Sequence, residues 1–230
     1  LLPRPTKPTA KASLWAGFSA LRRPPLLLLS AVSLCYNFGF FTLLAYSPYP
    51  LEEAAKSAGI QFGAHELGLV FFGWGLALAI TSVLVAPRLT RTFGLIPVLS
   101  ITFAMLAVCL VTMTFGVKSL PTLASAVVVA GLFLGILNTS LTEAVMEATD
   151  LPRNIASSTY SGVRFLGGAV APLVTGPLAT AAGAGAPYCI ATIAVLGSMI
   201  ILVSGRRLLS RVNRPHVTSQ EEASAITTGD

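Results

Sequence analysis

Charged residues are scarce in this sequence of 230 amino acids. Asp, Glu, Lys and Arg together make up 10% of the chain, and apolar residues make up 54%. In ordinary soluble domains about a quarter of the residues are charged. The composition therefore lies outside the usual soluble range and favours an environment other than water for most of the chain.

Residues that bind metals or act in catalysis are also few. The chain has two histidines, His65 and His216, and three cysteines, Cys35, Cys109 and Cys189. No Cys/His pair has the spacing of a metal site, and the cysteines lie too far apart to suggest a disulfide framework. Sequence motifs of phosphate loops, dinucleotide sites, nucleophile elbows and zinc proteases are missing. We therefore expect no enzymatic activity, no metal and no cofactor.

The sequence does contain six long apolar runs separated by short polar breaks. They cover residues 25–47, 67–89, 95–115, 120–145, 157–182 and 186–204. A helix needs about 20 apolar residues to cross a hydrocarbon layer of about 30 Å. Lipid offers the backbone no hydrogen bonds, and the runs lack the alternation of barrel strands. The fold class predicted is an all-α, polytopic membrane protein with a bundle of six transmembrane helices.

Basic residues are distributed unevenly about these runs, although the net charge is only +6. Six spans put both termini on one side, and that side then carries Arg4, Lys7, Lys11, Arg22, Arg23, Arg88, Arg91, Arg153, Arg206, Arg207, Arg211 and Arg214. The other side carries only Lys56 and Lys118. An excess of basic residues marks the cytoplasmic side. The distribution predicts a multi-pass protein of the cell membrane with cytoplasmic termini, whose basic residues meet lipid headgroups and not nucleic acid.

The polar segments divide the chain into three regions. Residues 1–24 are predicted to be a cytoplasmic linker with a short interfacial helix, 25–205 the six-helix domain, and 206–230 a disordered cytoplasmic tail. The longest outer loop is 48–66, and Pro48 and Pro50 are expected to end the first span, since proline cannot continue a helix. Short loops make consecutive spans the expected neighbours in the bundle.

Polar residues in the fourth span follow a helical spacing. Gly131, Gly135, Asn138 and Thr142 are four, three and four residues apart, which predicts that they share one helix face. The glycines allow close approach of another helix, and Asn138 offers hydrogen bonds at low dielectric. Two interpretations stay open, a packing seam with one polar clamp or a stripe that faces a cavity.

Two charges stand out inside the spans, Glu143 in the fourth and Arg164 in the fifth. In an antiparallel hairpin of these spans the two residues lie at about the same depth, about 10 Å inside the fifth helix at 1.5 Å per residue. An unpaired charge there is costly, so we predict a Glu143–Arg164 ion pair. The pair acts either as a structural latch or as a gate that breaks or titrates, and Glu147, one turn on, is an alternative partner for Arg164.

Helix-breaking and aromatic residues mark three further spans. Gly168, Pro172 and Gly176 in the fifth span repeat every four residues and predict a bent, closely packed helix. In the first span Tyr36, Asn37 and Phe40 combine aromatic rings with an amide near mid-membrane, and Trp74 lies deep in the second. Such a set suits a pocket for an amphipathic ligand, although core packing explains the rings equally well.

Several stretches together resemble the C-terminal half of a major facilitator superfamily transporter, most closely the bacterial drug:proton antiporters. They are the basic linker ending Leu21-Arg22-Arg23-Pro24, the loop at 87–94, and the segments 138–146 and 160–172. The loop lacks the acid of the family's Asp-Arg motif. The resemblance implies that the first, second, fourth and fifth spans line a central cavity between two six-helix bundles.

On this resemblance we expect proton-coupled efflux of small amphipathic compounds by alternating access, as half of a twelve-helix transporter. Its partners are expected to be the lipid bilayer, a small-molecule substrate, and an N-terminal six-helix half or a second copy of this chain. The alternatives are a six-helix protein that homodimerises to transport, and a truncated, non-transporting membrane scaffold. The first residue is Leu1 and not Met, which is compatible with a fragment.

Overall fold

A computed structural model describes residues 19–209, and helices account for most of this range. They are α1 (Pro24–Tyr46), α2 (Pro48–Ser57), α3 (Ala64–Ile80), a π-helical segment (Thr81–Val85), α4 (Ala86–Phe93), α5 (Leu95–Gly116), α6 (Leu120–Glu147), α7 (Arg153–Ala182) and α8 (Ala186–Ser204). Most of the predicted interfacial helix and of the predicted tail lies outside the described residues.

Six of these segments are long and apolar enough to cross a membrane, which confirms the predicted fold class for residues 19–209. The second span is Ala64–Phe93, in which α3, the π-helical segment and α4 follow one another without a break. The other spans are α1, α5, α6, α7 and α8. All six are long enough and apolar enough to cross the hydrocarbon layer. Their helical form suits lipid, because every interior backbone group is hydrogen-bonded within its own segment.

The segment after the first span is helical, which corrects the prediction of an open loop over 48–66. α1 ends at Tyr46, and α2 begins at Pro48 with only Ser47 between them. Proline is suited to the first turn of a helix, because that turn needs no N–H. The Tyr46 hydroxyl donates to the Ala184 carbonyl at 2.9 Å, and the Tyr188 hydroxyl bonds Ser47 Oγ at 2.9 Å.

The neighbours in the bundle differ from the predicted consecutive order. α1 packs mainly against α7 and α8, α6 packs against α3 and α5, and α5 also packs against α8. Of the consecutive spans, only α5 and α6 form a large contact. The prediction of consecutive neighbours is therefore wrong. Side-chain size decides the order here, since helices approach most closely where small residues let their backbones meet.

Glycines in α6 and α7 provide these close approaches. A Cβ on Gly131 would overlap the Trp74 carbonyl oxygen, and one on Gly135 would overlap the carbonyl of Leu78. Between α7 and α1, a Cβ on Gly167 would overlap the Leu34 carbonyl oxygen. The fourth span thus lies on the backbone of the second, and the fifth lies on the backbone of the first.

We predict that Gly135→Val lowers stability much more than Gly75→Val, a matched change in α3 where an added Cβ meets nothing within 4 Å. Both changes alter helix propensity in the same way, since each replaces a helical glycine by valine. Only Gly135→Val also forces α6 away from α3, which lowers stability by about 2 kcal/mol or more. The measurement is unfolding of the purified protein in mixed micelles, followed by tryptophan fluorescence. Equal losses for the two variants would contradict the packing described above.

Candidate functional site

A cavity of about 600 Å³ lies between the second, fourth and fifth spans. It is lined by Pro87 and Arg91 of α4, by Asn138, Thr139, Thr142, Glu143 and Met146 of α6, and by Arg164 of α7. It lies near the ends of α4 and α6 that lead into the basic loops. Four of the residues predicted from sequence are thus brought together: Asn138, Thr142, Glu143 and Arg164.

Arg164 is anchored at the back of this cavity by an amide. Its Nε donates to Asn37 Oδ1 at 3.1 Å, and Asn37 Nδ2 in turn donates to the Ser33 carbonyl at 3.1 Å. Asn37 is fully buried. The guanidinium carbon also lies 5.7 Å from the Phe165 ring centre, within cation–π range. These contacts orient the Arg164 side chain without adding a negative charge.

A second polar pair lies one helical turn before the first. The Tyr160 hydroxyl is near Ser33, Thr142 and Arg164, but it makes no hydrogen bond of good geometry. Tyr160 is 2% exposed and Ser33 is fully buried, and Ser33 Oγ also lacks a hydrogen-bond partner. Polar atoms left in this way inside a protein are uncommon and point to a water molecule or a ligand.

α1 and α7 are held in one register by these polar pairs. Ser33 meets Tyr160, Asn37 meets Arg164, and one turn further the ring of Phe41 meets Gly168. Each pair has the same sequence separation, which requires the two helices to run in the same direction. The depth of Arg164 is therefore set by three successive turns of contact with the first span.

The second and fourth spans are joined by hydrogen bonds at the cavity. The hydroxyl groups of Ser82 and Thr139 are hydrogen-bonded, and Thr139 also reaches the Ser82 carbonyl at 3.3 Å. Ser82 lies in the π-helical segment, five residues before Pro87, which has no N–H to continue the helical ladder. Such π-helical turns inside α-helices are frequent at functional sites.

The polar stripe predicted on the fourth span divides between two environments. Gly131 and Gly135 lie against the backbone of Trp74 and Leu78 in α3, whereas Asn138 and Thr142 line the cavity further along α6. At 3.6 residues per turn, the four positions predicted from sequence lie within about 60° around the helix axis and share one face. The two open interpretations apply to different lengths of that face, a packing seam at the glycines and a cavity wall at Asn138 and Thr142.

Several residues predicted for a substrate pathway lie away from the cavity. Tyr36 is fully buried, its ring is 6.0 Å from that of Phe103, and its hydroxyl donates to the Leu134 carbonyl at 3.4 Å. Phe40 and Trp74 stack against each other at 5.9 Å. The structure places these rings, and Asn37, among the contacts that hold the bundle together. Their part in a pathway stays a prediction.

The predicted packing residues of the fifth span also differ among themselves. Gly168 lies against Phe41, where an added Cβ would be 2.6 Å from the ring. Pro172 and Gly176 are exposed, and a Cβ on Gly176 would meet nothing within 4 Å. α7 continues as one helix through Pro172. In the described part of the chain, only Gly168 of these three is a helix–helix contact.

Glu143 and Arg164 line the same cavity, although the ion pair between them stays a prediction. Glu147 is exposed and lies outside the lining. Sequence reasoning missed the cavity roles of Arg91, which counted only toward membrane orientation, and of Thr139. The signal for Thr139 was present, because it continues the four-residue repeat of Gly131 and Gly135.

Comparison with known proteins gives three findings. A sequence profile of the Major Facilitator Superfamily matches residues 49–228. The chain is 40% identical over 216 residues to "Multidrug efflux protein YfmO" of Bacillus subtilis (strain 168), covering 94% of this chain and 52% of that protein. A crystal structure of the peptide transporter POT in complex with alafosfalin has a similar fold, with a TM-score of 0.69 and 19% identity, covering 88% of this chain and 44% of that one. The chain spans about half the length of these relatives.

We predict that the stability effects of Glu143→Gln and Arg164→Gln do not add. If the side chains pair in this low-dielectric site, the double variant loses less than the sum of the two, with a coupling energy of about 1 kcal/mol or more. A second cycle of Glu147→Gln with Arg164→Gln tests the alternative partner. Glu53→Gln with Arg164→Gln is the control, since Glu53 lines a separate cavity, and it should be additive. Additive energies in the first cycle would reject the ion pair.

Proposed function

The chain belongs to the major facilitator superfamily, and on that basis we propose that it forms the C-terminal six-helix half of a proton-coupled exporter of small amphipathic compounds. The observation that carries this proposal is the 40% identity, along nearly the whole chain, to a protein named for multidrug efflux. The distribution of Lys and Arg supports a location in the cell membrane with both termini in the cytoplasm.

Transport would proceed by alternating access. In transporters built from two six-helix repeats, the substrate lies between the repeats, and one repeat rocks against the other. The cavity between α4, α6 and α7 is then one wall of the substrate site. Its size supports this role, since sites for small molecules commonly enclose about 300–1,000 Å³. The other wall would belong to the N-terminal half.

Glu143 is the residue that we propose to carry the coupling proton. It is the acidic residue that lines the cavity, and Arg91 and Arg164 line the same space. An ionised Glu143 is stabilised by these guanidinium groups, and a protonated one is not. A side chain that changes its attraction to a neighbouring span on protonation can bias the equilibrium between two arrangements of the helices.

A homodimer of six-helix chains is the second candidate. The part of the chain that the structure describes holds one bundle of six spans, and the chain spans about half the length of its relatives. Two copies would then supply both walls of the site. A truncated, non-transporting membrane scaffold is the third candidate, and it predicts no efflux from any assembled form.

We predict that Glu143→Gln in the complete protein abolishes efflux driven by a pH gradient, because the amide cannot release a proton. The measurement is extrusion of a fluorescent amphipathic dye from cells or proteoliposomes after an imposed pH jump. Glu53→Gln makes the same chemical change outside this cavity and should leave the rate within about twofold, as expected for a surface substitution. Full activity of Glu143→Gln would remove Glu143 from the coupling step.

The intact mass of the protein in its native membrane distinguishes the first two candidates. A mass about twice the 23.9 kDa of this chain, together with a six-helix half encoded upstream, is the expected result. A native mass near 23.9 kDa, with dimers on cross-linking, would support the homodimer instead. A native mass near 23.9 kDa, without dimers on cross-linking and without efflux, would support the non-transporting scaffold.

A further inference from the structure

The walls of the α4–α6–α7 cavity carry more positive than negative charge. Arg91 and Arg164 both line it, against the single carboxylate of Glu143. Among the lining residues, there is one more guanidinium group than carboxylate groups. An excess charge in a cavity with low-dielectric walls attracts the opposite charge from solution.

The anchor of Arg164 preserves its charge. A buried arginine is usually paired with a carboxylate, which cancels the charge at the site. Here the partner of Nε is Asn37, a fully buried and neutral amide. Its neighbours on α1 and α7, Ser33 and Tyr160, are neutral as well. The amide fixes the direction of the guanidinium group without adding a negative charge beside it.

Neutral polar groups beside Arg164 lack partners. The Tyr160 hydroxyl is next to Arg164 and Thr142 on a residue that is 2% exposed, and it makes no hydrogen bond of good geometry. The Asn138 side-chain oxygen on the wall is also without a donor. A buried hydroxyl of this kind can donate to an anion held by the guanidinium group.

We infer that this cavity is an anion site, which binds amphipathic substrates through a carboxylate or sulfonate group held by Arg164. The inference rests on the proposed function and narrows its substrate class. Asn37 is the positioning residue, Tyr160 donates a second hydrogen bond, and Arg91 adds attraction from the opposite wall. The apolar part of the substrate lies against Met146 and Pro87.

Binding of two probes that differ in one sulfonate tests this inference without requiring transport. The probes are 1-anilinonaphthalene-8-sulfonate and its neutral parent, N-phenyl-1-naphthylamine. The complete protein is placed in nanodiscs of zwitterionic lipid, and empty nanodiscs give the background fluorescence. We expect saturable binding of the sulfonate, at least about tenfold tighter than binding of the neutral parent, the difference that one charge-assisted hydrogen bond supplies.

The variants separate charge at the site from general effects on the fold. Arg164→Gln and Asn37→Asp should each weaken sulfonate binding about tenfold and leave the neutral probe unchanged, because the first removes the charge and the second cancels it. Arg91→Gln should weaken it less. Arg153→Gln removes an exposed charge at the start of the same helix, outside the lining, and should have no effect.

Equal affinity for the two probes, or sulfonate binding that Asn37→Asp and Arg91→Gln both leave unchanged, would overturn the inference. Because Asp and Asn have nearly the same shape, Asn37→Asp remains informative if Arg164→Gln fails to fold. Efflux without a preference for the sulfonate would reject the anion site and keep the exporter. Selective binding without efflux would reject the exporter and keep the anion site.

Discussion

Hydrocarbon offers no hydrogen-bonding partner, and this constraint governs the structure. Helical segments satisfy their own backbones, but each polar side chain within the spans must find its partner inside the bundle. Arg164 finds it in Asn37, and Asn37 finds it in the Ser33 carbonyl. Arg164, which lies well inside the fifth span, is thereby held against the first span, and this contact positions its guanidinium group at the cavity.

Small residues determine which spans come close enough to make such ties. Gly131 and Gly135 bring α6 onto the backbone of α3, and Gly167 brings α7 onto that of α1. One span separates the second from the fourth along the chain, and three separate the first from the fifth, so neither pair is formed by consecutive spans. The cavity forms where these two parallel pairs adjoin, and its charged lining comes from both.

The arrangement suits one half of a two-part transporter. Two walls of a membrane cavity are present, with a carboxylate and two guanidinium groups between them. The second span carries a π-helical turn and Pro87 at the same level, where its backbone is least constrained by the regular ladder. The coupling role that we propose falls on Glu143, which lines the same cavity as Pro87 of this irregular stretch.

Much of the site was readable from sequence because depth in a membrane follows from counting residues. Counting placed Glu143 and Arg164 at similar heights, and both line one cavity. Counting gave no information about which helices meet, so it could not show that Asn37 anchors Arg164 or that Tyr36 lies in the core. The repeat with Gly131 and Gly135 pointed to Thr139, but its partner Ser82 in the second span followed only from the packing of the helices.

The sequence by itself determined the membrane class, the six spans and the charge asymmetry, because each follows from the transfer of single segments between water and lipid. It also determined that Arg164 needs a polar partner. Only the tertiary structure decided that one such partner is a neutral amide from the first span. That choice depends on backbone approach distances between helices far apart in the chain, which depend on the packing of all six helices together.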